Sequence, residues 1–279
     1  MAKLSHTEKR KVFRALHQSG CFVIPNPWNL GSALYLQGLG FKALASTSSG
    51  FAHSLGLADG ATTRDMALAH YRELADATDV PLNADYEGGF AAKPDDVAEN
   101  VRLCVATGVA GLSIEDYTGD NGNPLYDFDL ALARVKAARK AIDAAGGDVV
   151  FTARSEGFIH GRPDMAETIR RLKAFADAGA DCLYAPGIKT REQIETVVKA
   201  VAPTPVNLLM SAATGLTVQD IAAMGVRRIS VGGTLARVAM HAFIKSAREI
   251  AEQGTFDRFA GVISNAELNA FFADDRSKR

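Results

Sequence analysis

The sequence predicts an α/β fold of the (β/α)8, TIM-type barrel class, and three observations predict it. Short β-rich runs alternate with longer helical patterns between residues 20 and 252, and strands joined by helical crossovers must pair in parallel. Several of the short runs are almost continuously apolar rather than alternating, as strands covered on both faces are. Eight strand–helix units can be counted, a number that favours closure into a barrel over an open doubly wound sheet. The open sheet would want a Gly-x-Gly-x-x-Gly turn after its first strand, and IPNPWNLGSA lacks one.

The candidate strands and helices follow in order. CFVIP (21–25) leads to a helix over 29–38, and KALAS (42–46) leads through the Ser- and Gly-rich STSSGFAHSLGLADG to a helix over 64–77. VPLNAD (80–85) precedes a helix over 94–107, and AGLSIED (110–116) precedes one over 127–145. DVVFTAR (148–154), DCLYAP (181–186), PVNLLM (205–210) and RRISVG (227–232) precede helices over 163–178, 190–200, 217–224 and 234–252. Lys93-Pro94, Arg162-Pro163 and Thr217 supply first-turn prolines or a cap. Glycines in ADAGADCLY and IAAMGVRRIS close helices before the next strand.

No linker interrupts the pattern, so residues 1–279 read as one domain: an N-terminal helix (1–19), the barrel (20–252) and a helical tail (253–279). The tail carries Phe256, Phe259, Val262, Ile263, Leu268, Phe271 and Phe272. It is therefore expected to pack on the barrel or to be swapped with a neighbouring subunit, with DDRSKR frayed at its end.

Composition narrows the function. The chain is 47% hydrophobic and 23% charged with a net charge of −1, which gives no electrostatic footprint for nucleic acid or an anionic membrane. Cys21, Cys104 and Cys182 have no metal-ligand spacing and read as buried thiols in a reducing compartment. The N-terminus lacks an apolar signal core, and no apolar run reaches the ~18 residues of a membrane span. A cytoplasmic protein with a small-molecule partner is the expectation.

In such a barrel, chemistry collects at the carboxyl ends of the strands. There the sequence places Ser46, Thr47, Ser48, His53 and Asp59 after the second strand, and Asp85 and Glu87 at the third. Glu115 and Asp116 end the fourth, Arg154 and Glu156 the fifth, and Asn207 lies in the seventh. Asp85 and Glu87 are two apart and can share a face. Their repulsion would be relieved by a hard cation, Mg²⁺ or Mn²⁺, which keeps waters or substrate oxygens in its other positions. Arg154 would grip a substrate carboxylate bidentately. Plainer readings exist: a solvated strand end for Asp85 and Glu87, a structural ion pair for Arg154, loop packing for His53. Gly232-Gly233 could cradle a phosphate, but no polar cluster follows them.

Five blocks carry a resemblance: PNPWNLGSALYLQGLGFKALASTSSGFAHSLGLADG, VPLNADYEGGF, GVAGLSIEDYTG, FTARSEGF and AFADAGADCLYAPG. Over about residues 20–245 the chain resembles the isocitrate lyase/phosphoenolpyruvate mutase superfamily. The resemblance implies a (β/α)8 barrel and Mg²⁺-dependent chemistry on 2-oxo or 2-hydroxy carboxylic acids. It also implies making or breaking C–C or P–C bonds through an enolate, in dimers or tetramers that exchange the last helix. It gives Asp59, Asp85, Glu87 and Glu115 as an acidic metal shell, with Thr47 and Ser48 in the substrate-holding loop and Arg154 on the carboxylate. Asp59 would otherwise read as a turn residue.

The departures are local. The lyases carry Lys-Cys-Gly-His on the loop after the fourth strand, whereas DYTGDNGNPLYDFD has no cysteine, histidine or lysine and offers Asn121 and Asn123. Ala45 stands where the mutases commonly have an aromatic. The expectation is a Mg²⁺-dependent C–C lyase, by retro-aldol or decarboxylation, on a small 2-oxo or 2-hydroxy di- or tricarboxylic acid. Arg154, Glu115, Tyr117 and Asp59 would act in catalysis, and Ser46, Thr47, Ser48, Arg154 and Asn207 would hold substrate. A P–C mutase or hydrolase, and an oxo-acid-binding barrel with little turnover, are the alternatives. Tyr117, Tyr86, a metal-bound water or a raised-pKa carboxylate could each supply the proton.

Overall fold

The computed structural model describes residues 4–277. Helix α1 (His6–Leu16) precedes strand β1 (Phe22–Ile24), α2 (Leu30–Gly38), β2 (Leu44–Ala45), α3 (Ser48–Ser54) and α4 (Arg64–Ala77). Next come β3 (Leu82–Asp85), α5 (Pro94–Val105), β4 (Gly111–Glu115), α6 (Phe128–Ala144), β5 (Val150–Arg154) and α7 (Met165–Asp177). The chain continues through β6 (Cys182–Tyr184), α8 (Arg191–Val201), β7 (Val206–Leu209), α9 (Val218–Ala223), β8 (Arg228–Ser230) and α10 (Thr234–Gln253). A 3-10 turn (Asp257–Phe259) and α11 (Asn265–Ser277) end the described chain. Each strand falls inside its expected run.

All eight strands form one parallel sheet in the order β1-β8-β7-β6-β5-β4-β3-β2. The two end strands meet across a seam where the Ala45 N–H donates to the Pro25 carbonyl at 3.1 Å. Asn26 reinforces this seam: its Oδ1 accepts from the Val231 and Gly232 amides, and its Nδ2 donates to the Ser46 carbonyl at 2.8 Å. These contacts also occupy the Gly232 amide that a phosphate cradle would need.

Strand alternation sorts the residues into two environments. Leu82, Ala84, Leu112, Ile114, Phe151, Ala153, Leu208 and Ile229 join the apolar layer between sheet and helices. The alternate positions Asn83, Ser113, Thr152, Asn207, Arg228 and Ser230 are buried and polar, so the bore of the barrel is polar. Helix α1 plugs its amino-terminal end. Phe13 is fully buried with Ile24, Ala43, Ala45, Ala110 and Val150, and Lys9 donates to the carbonyls of Ala75 and Thr78.

Three features differ from the sequence reading. SSGFAHS is helical in α3, capped by the Thr47 hydroxyl, which accepts from the Gly50 amide at 3.3 Å. Helical periodicity is absent there, and packing decides instead: a Cβ on Gly50 would lie 3.0 Å from Trp28 Cβ and 3.1 Å from Ala236 Cβ. Helix α10 stands away from the barrel, burying only Ala236 and Glu249 and leaving Val238 and Phe243 61% and 66% exposed. In the tail, Phe271 lies 4.4 Å from the Tyr35 ring of α2, while Phe256, Phe259, Val262 and Ile263 are exposed. Helix α11 persists to Ser277 where fraying was expected, and residues 278–279 lie outside the described residues. Among the described residues no helix is long and apolar enough to cross a membrane.

Candidate active site

A cavity of about 180 Å³ opens at the carboxyl end of the bore. Ser46, Thr47, Ser48, Asp59, Asp85, Arg154 and Asn207 all line it. These are seven of the ten catalytic, substrate and metal candidates singled out from sequence; Glu87, Glu115 and Tyr117 are not among its lining residues.

Arg154, at the end of β5, organises the rim. Its Nη1 lies 2.6 Å from Asp85 Oδ1, its Nη2 3.1 Å from Glu115 Oε2, and its Nε 2.8 Å from Glu156 Oε1. The guanidinium also sits 4.9 Å from the centre of the Tyr184 ring. Burial alone would lower the pKa of Arg154, but Glu156, Glu115 and Asp85 outweigh it and hold the group charged. The cage carries excess negative charge, so the carboxylates respond. Burial pushes Glu156 up to about 7, with Arg154 opposing.

The second strand's loop fixes Asp85 from the other side. The Ser48 amide and hydroxyl donate to Asp85 Oδ2 at 3.0 and 3.1 Å, and the Asp85 N–H donates to Ser46 Oγ at 2.8 Å. Tyr71 donates to the Asp85 carbonyl at 2.6 Å. Thr47 is committed to capping α3, and its Oγ1 is 3.2 Å from Ser49 Oγ.

Glu87 leaves the strand with φ +48°, a left-handed conformation costly for a residue with a side chain. Arg134 of α6, 1% exposed, holds this turn from behind. It donates to the carbonyls of Gly88, Ala91 and Ala92 and lies 4.0 Å from the centre of the Tyr126 ring. A Cβ on Gly88 would come within 3.2 Å of that guanidinium, which explains one of the two glycines. Glu87 Oε1 accepts from Thr62 at 3.3 Å. Burial, then Asp85 and Asp59, raise Glu87 to about 7, and burial followed by Asp85 raises Asp59.

Asp59, Asp85, Glu87 and Glu115 do not form an all-protein metal cage. Among the described residues no three His, Cys, Asp or Glu side chains come together as ligands. The reason is physical: Arg154 takes Asp85 Oδ1 and the Glu115 carboxylate, and Thr62 takes Glu87. The cavity itself is lined by two carboxylates, Asp85 and Asp59, and Glu87 is close enough to feel the charge of both. That donor set fits Mg²⁺, which keeps most of its waters and needs only one or two carboxylates.

Other rim residues have structural roles. Asp116 is buried, accepting from Arg171 Nη1 at 3.0 Å and from the Glu156 amide at 2.8 Å. Tyr86 is fully buried on the helix side and donates to the Asn100 carbonyl at 2.9 Å, which removes it as a proton source. Tyr117 stacks on His160, ring centres 3.8 Å apart, and donates to Asn121 Oδ1 at 3.0 Å. Its loop folds on itself through the Tyr117–Leu125 bridge. His160 Nε2 lies 3.6 Å from Glu156 Oε2. His160, Asn26 and Arg134 were not singled out from sequence. No local pattern marks them, since each is recruited by a contact distant in sequence.

An eight-stranded α/β barrel with acid and arginine at its carboxyl end defines a class of enzymes. Within that class the chain belongs to the phosphoenolpyruvate phosphomutase family, whose profile matches residues 13–251. It is similar to a candidate lyase/mutase from Burkholderia cenocepacia J2315, with 44% identity, a TM-score of 0.93, and coverage of 96% of this chain and 97% of that one. It is 31% identical over 269 residues to the oxaloacetate decarboxylase of Paraburkholderia xenovorans (strain LB400), covering 89% of this chain and 84% of that protein. A phosphonopyruvate hydrolase complexed with oxalate and Mg²⁺ is 27% identical, with a TM-score of 0.84 and coverage of 97% and 96%.

Proposed function

We propose that the protein is a Mg²⁺-dependent C–C lyase that cleaves a small 2-oxo or 2-hydroxy di- or tricarboxylic acid, by decarboxylation or retro-aldol. The carrying observation is Arg154 held among Asp85, Glu115 and Glu156 at the mouth of the cavity. Asp85 would hold the metal, with Asp59 and Glu87 adding negative charge beside it. Mg²⁺, when bound, supplies Lewis-acid stabilisation of charge developing on a substrate oxygen.

The chain's own groups do the rest. Arg154 would exchange part of its carboxylate contact for a substrate carboxylate, fixing the cleaved bond relative to the carbonyl π-system. Ser46 and Ser48 keep Asp85 in place. Cleavage leaves an enolate that needs a proton at carbon. Tyr117 is the donor we assign: its ring stacks on His160, whose Nε2 lies 3.6 Å from Glu156 Oε2. A similar neighbour's complex with oxalate and Mg²⁺ supports this reading.

Purified protein with Mg²⁺ and a panel of oxo- and hydroxy-acids should release pyruvate, glyoxylate or CO₂, and Asp85→Asn should not. Phosphonopyruvate belongs in the panel, followed by phosphorus NMR, because the hydrolase likeness favours P–C cleavage as a second reading. The exposed apolar stripe of α10 supports a homodimer or homotetramer, which the solution mass would test. Three unpaired thiols suit a cytoplasmic location.

A further inference from the structure

The floor of the cavity holds a second arginine. Arg228, on β8, is 3% exposed yet lines the same cavity as Arg154 and Asp85. Its Nε donates to Asn207 Oδ1 at 2.8 Å and its Nη2 to Thr152 Oγ1 at 3.0 Å, and its Nη1 lies 3.3 Å from His17 Nε2. His17 Nδ1 lies 2.8 Å from the Phe13 carbonyl, so Nδ1 carries the proton and Nε2 is the acceptor. Every partner is therefore neutral. No salt bridge joins Arg228 to an acid among the described residues.

A buried charge without a counter-charge is costly. Arg134 is also buried and bound to carbonyls and an aromatic face, and it does not line this cavity. Arg228 instead borders open space with N–H donors left over. A guanidinium has five, and three contacts are accounted for. Asn207, Ser230 and Ser113 line the space beside it.

The cavity is thus polarised along the barrel axis. Its mouth carries more carboxylates than cations, and its floor carries a cation alone. The two levels are separated by the step from Thr152 to Arg154 on β5, about 6.6 Å for two residues of strand. That is the scale of a short carbon chain with an acid group at each end.

We propose that Arg228 is the second anion anchor of the site: the distal carboxylate of the expected diacid sits on Arg228, beside Asn207. This rests on the function proposed above, which places an oxo- or hydroxy-acid group at the mouth. It adds a specificity residue, and narrows the di- or tricarboxylic acid expected from the sequence to a four- or five-carbon dianion.

The test is calorimetry on the full chain with Mg²⁺. Oxalate probes the mouth alone. Two matched pairs probe the floor: malate against 2-hydroxybutyrate, and 2-oxoglutarate against 2-oxovalerate, each differing by a carboxylate in place of a methyl. In at least one pair the diacid should bind about tenfold tighter or more, equivalent to 1.4 kcal/mol. Arg228→Gln should reduce that preference to under about threefold while oxalate affinity stays within about twofold. If wild-type protein binds oxalate but shows no diacid preference in either pair, the Arg228 assignment is wrong and the proposed function stands. If oxalate does not bind, both fall. The wild-type comparison decides even where Arg228→Gln does not fold.

Discussion

Arg154 Nη1 and Asp85 Oδ1 are 2.6 Å apart, so the cation of the rim and its forward carboxylate form a single unit. Neither can be changed without reshaping the other. Replacing Arg154 by methionine would leave Asp85, Glu115 and Glu156 without their shared counter-charge, a loss on the order of 3 kcal/mol for a buried pair. The pH dependence has a defined sign. Glu156 has a folded pKa of about 7 against an ordinary 4.5, so between those values the folded state holds the proton and the unfolded state does not. Its contribution therefore falls as pH rises through this window. Arg154→Met raises the folded value further, so its melting temperature should drop more steeply than wild type's between about pH 5.5 and 8. Parallel melting curves for the two proteins would contradict this.

The stacked pair Tyr117 and His160 separates a proton-transfer role from a packing one. Tyr117→Phe keeps the stack and removes only the hydroxyl. If the hydroxyl delivers the proton, kcat should fall by about 10²-fold or more with little change in KM. His160→Phe also keeps a stacked ring and should lower kcat by less. Equal activity of Tyr117→Phe and wild type would leave Tyr117 as a packing residue.

Arg134 predicts a loss of function at a distance. Arg134→Met removes the donors that pin the carbonyls of Gly88, Ala91 and Ala92. Charged hydrogen bonds contribute about 1.5–3 kcal/mol each, so a destabilisation of roughly 2–4 kcal/mol is expected, measured by urea unfolding. The variant should also bind oxalate with Mg²⁺ more weakly, since Glu87 would no longer be held in its turn. Weaker folding with unchanged ligand affinity would show that the turn holds itself.

Acid sensitivity should trace to His17. Burial, then the neighbouring Arg228, lowers its pKa to about 3 from an ordinary 6.5. The unfolded chain therefore takes up the proton first, and stability is lost as pH falls from about 6.5 toward 3. At pH 4 the loss is on the order of 3 kcal/mol. His17→Gln should flatten the acid limb of a stability–pH curve, and an unchanged limb would assign the sensitivity elsewhere.

The barrel was legible because its signals are local. Buried parallel strands write themselves as short apolar runs, and glycines and prolines mark their ends. The rim was legible for the same reason: Asp85, Glu115 and Arg154 each occupy the last position of a strand. What escaped was set by contacts between distant segments. Asn26 acts through Ser46 and Gly232, and Arg134 through a loop more than forty residues away. Arg228 escaped too, since no pattern says which of two adjacent arginines, Arg227 or Arg228, turns into the bore. Nor did the sequence signal that one guanidinium, Arg154, pairs with two members of the four-acid group, Asp85 and Glu115.

The seam beside Asn26 gives the ring a clasp. Seven of its strand junctions are ladders, and the eighth is one backbone hydrogen bond helped by one side-chain amide. The clasp closes directly beneath Ser46, whose hydroxyl meets Asp85. A ligand that tightens Asp85 thereby tightens the weakest joint of the scaffold, so occupancy of the pocket should be felt as slower amide exchange at Ala45.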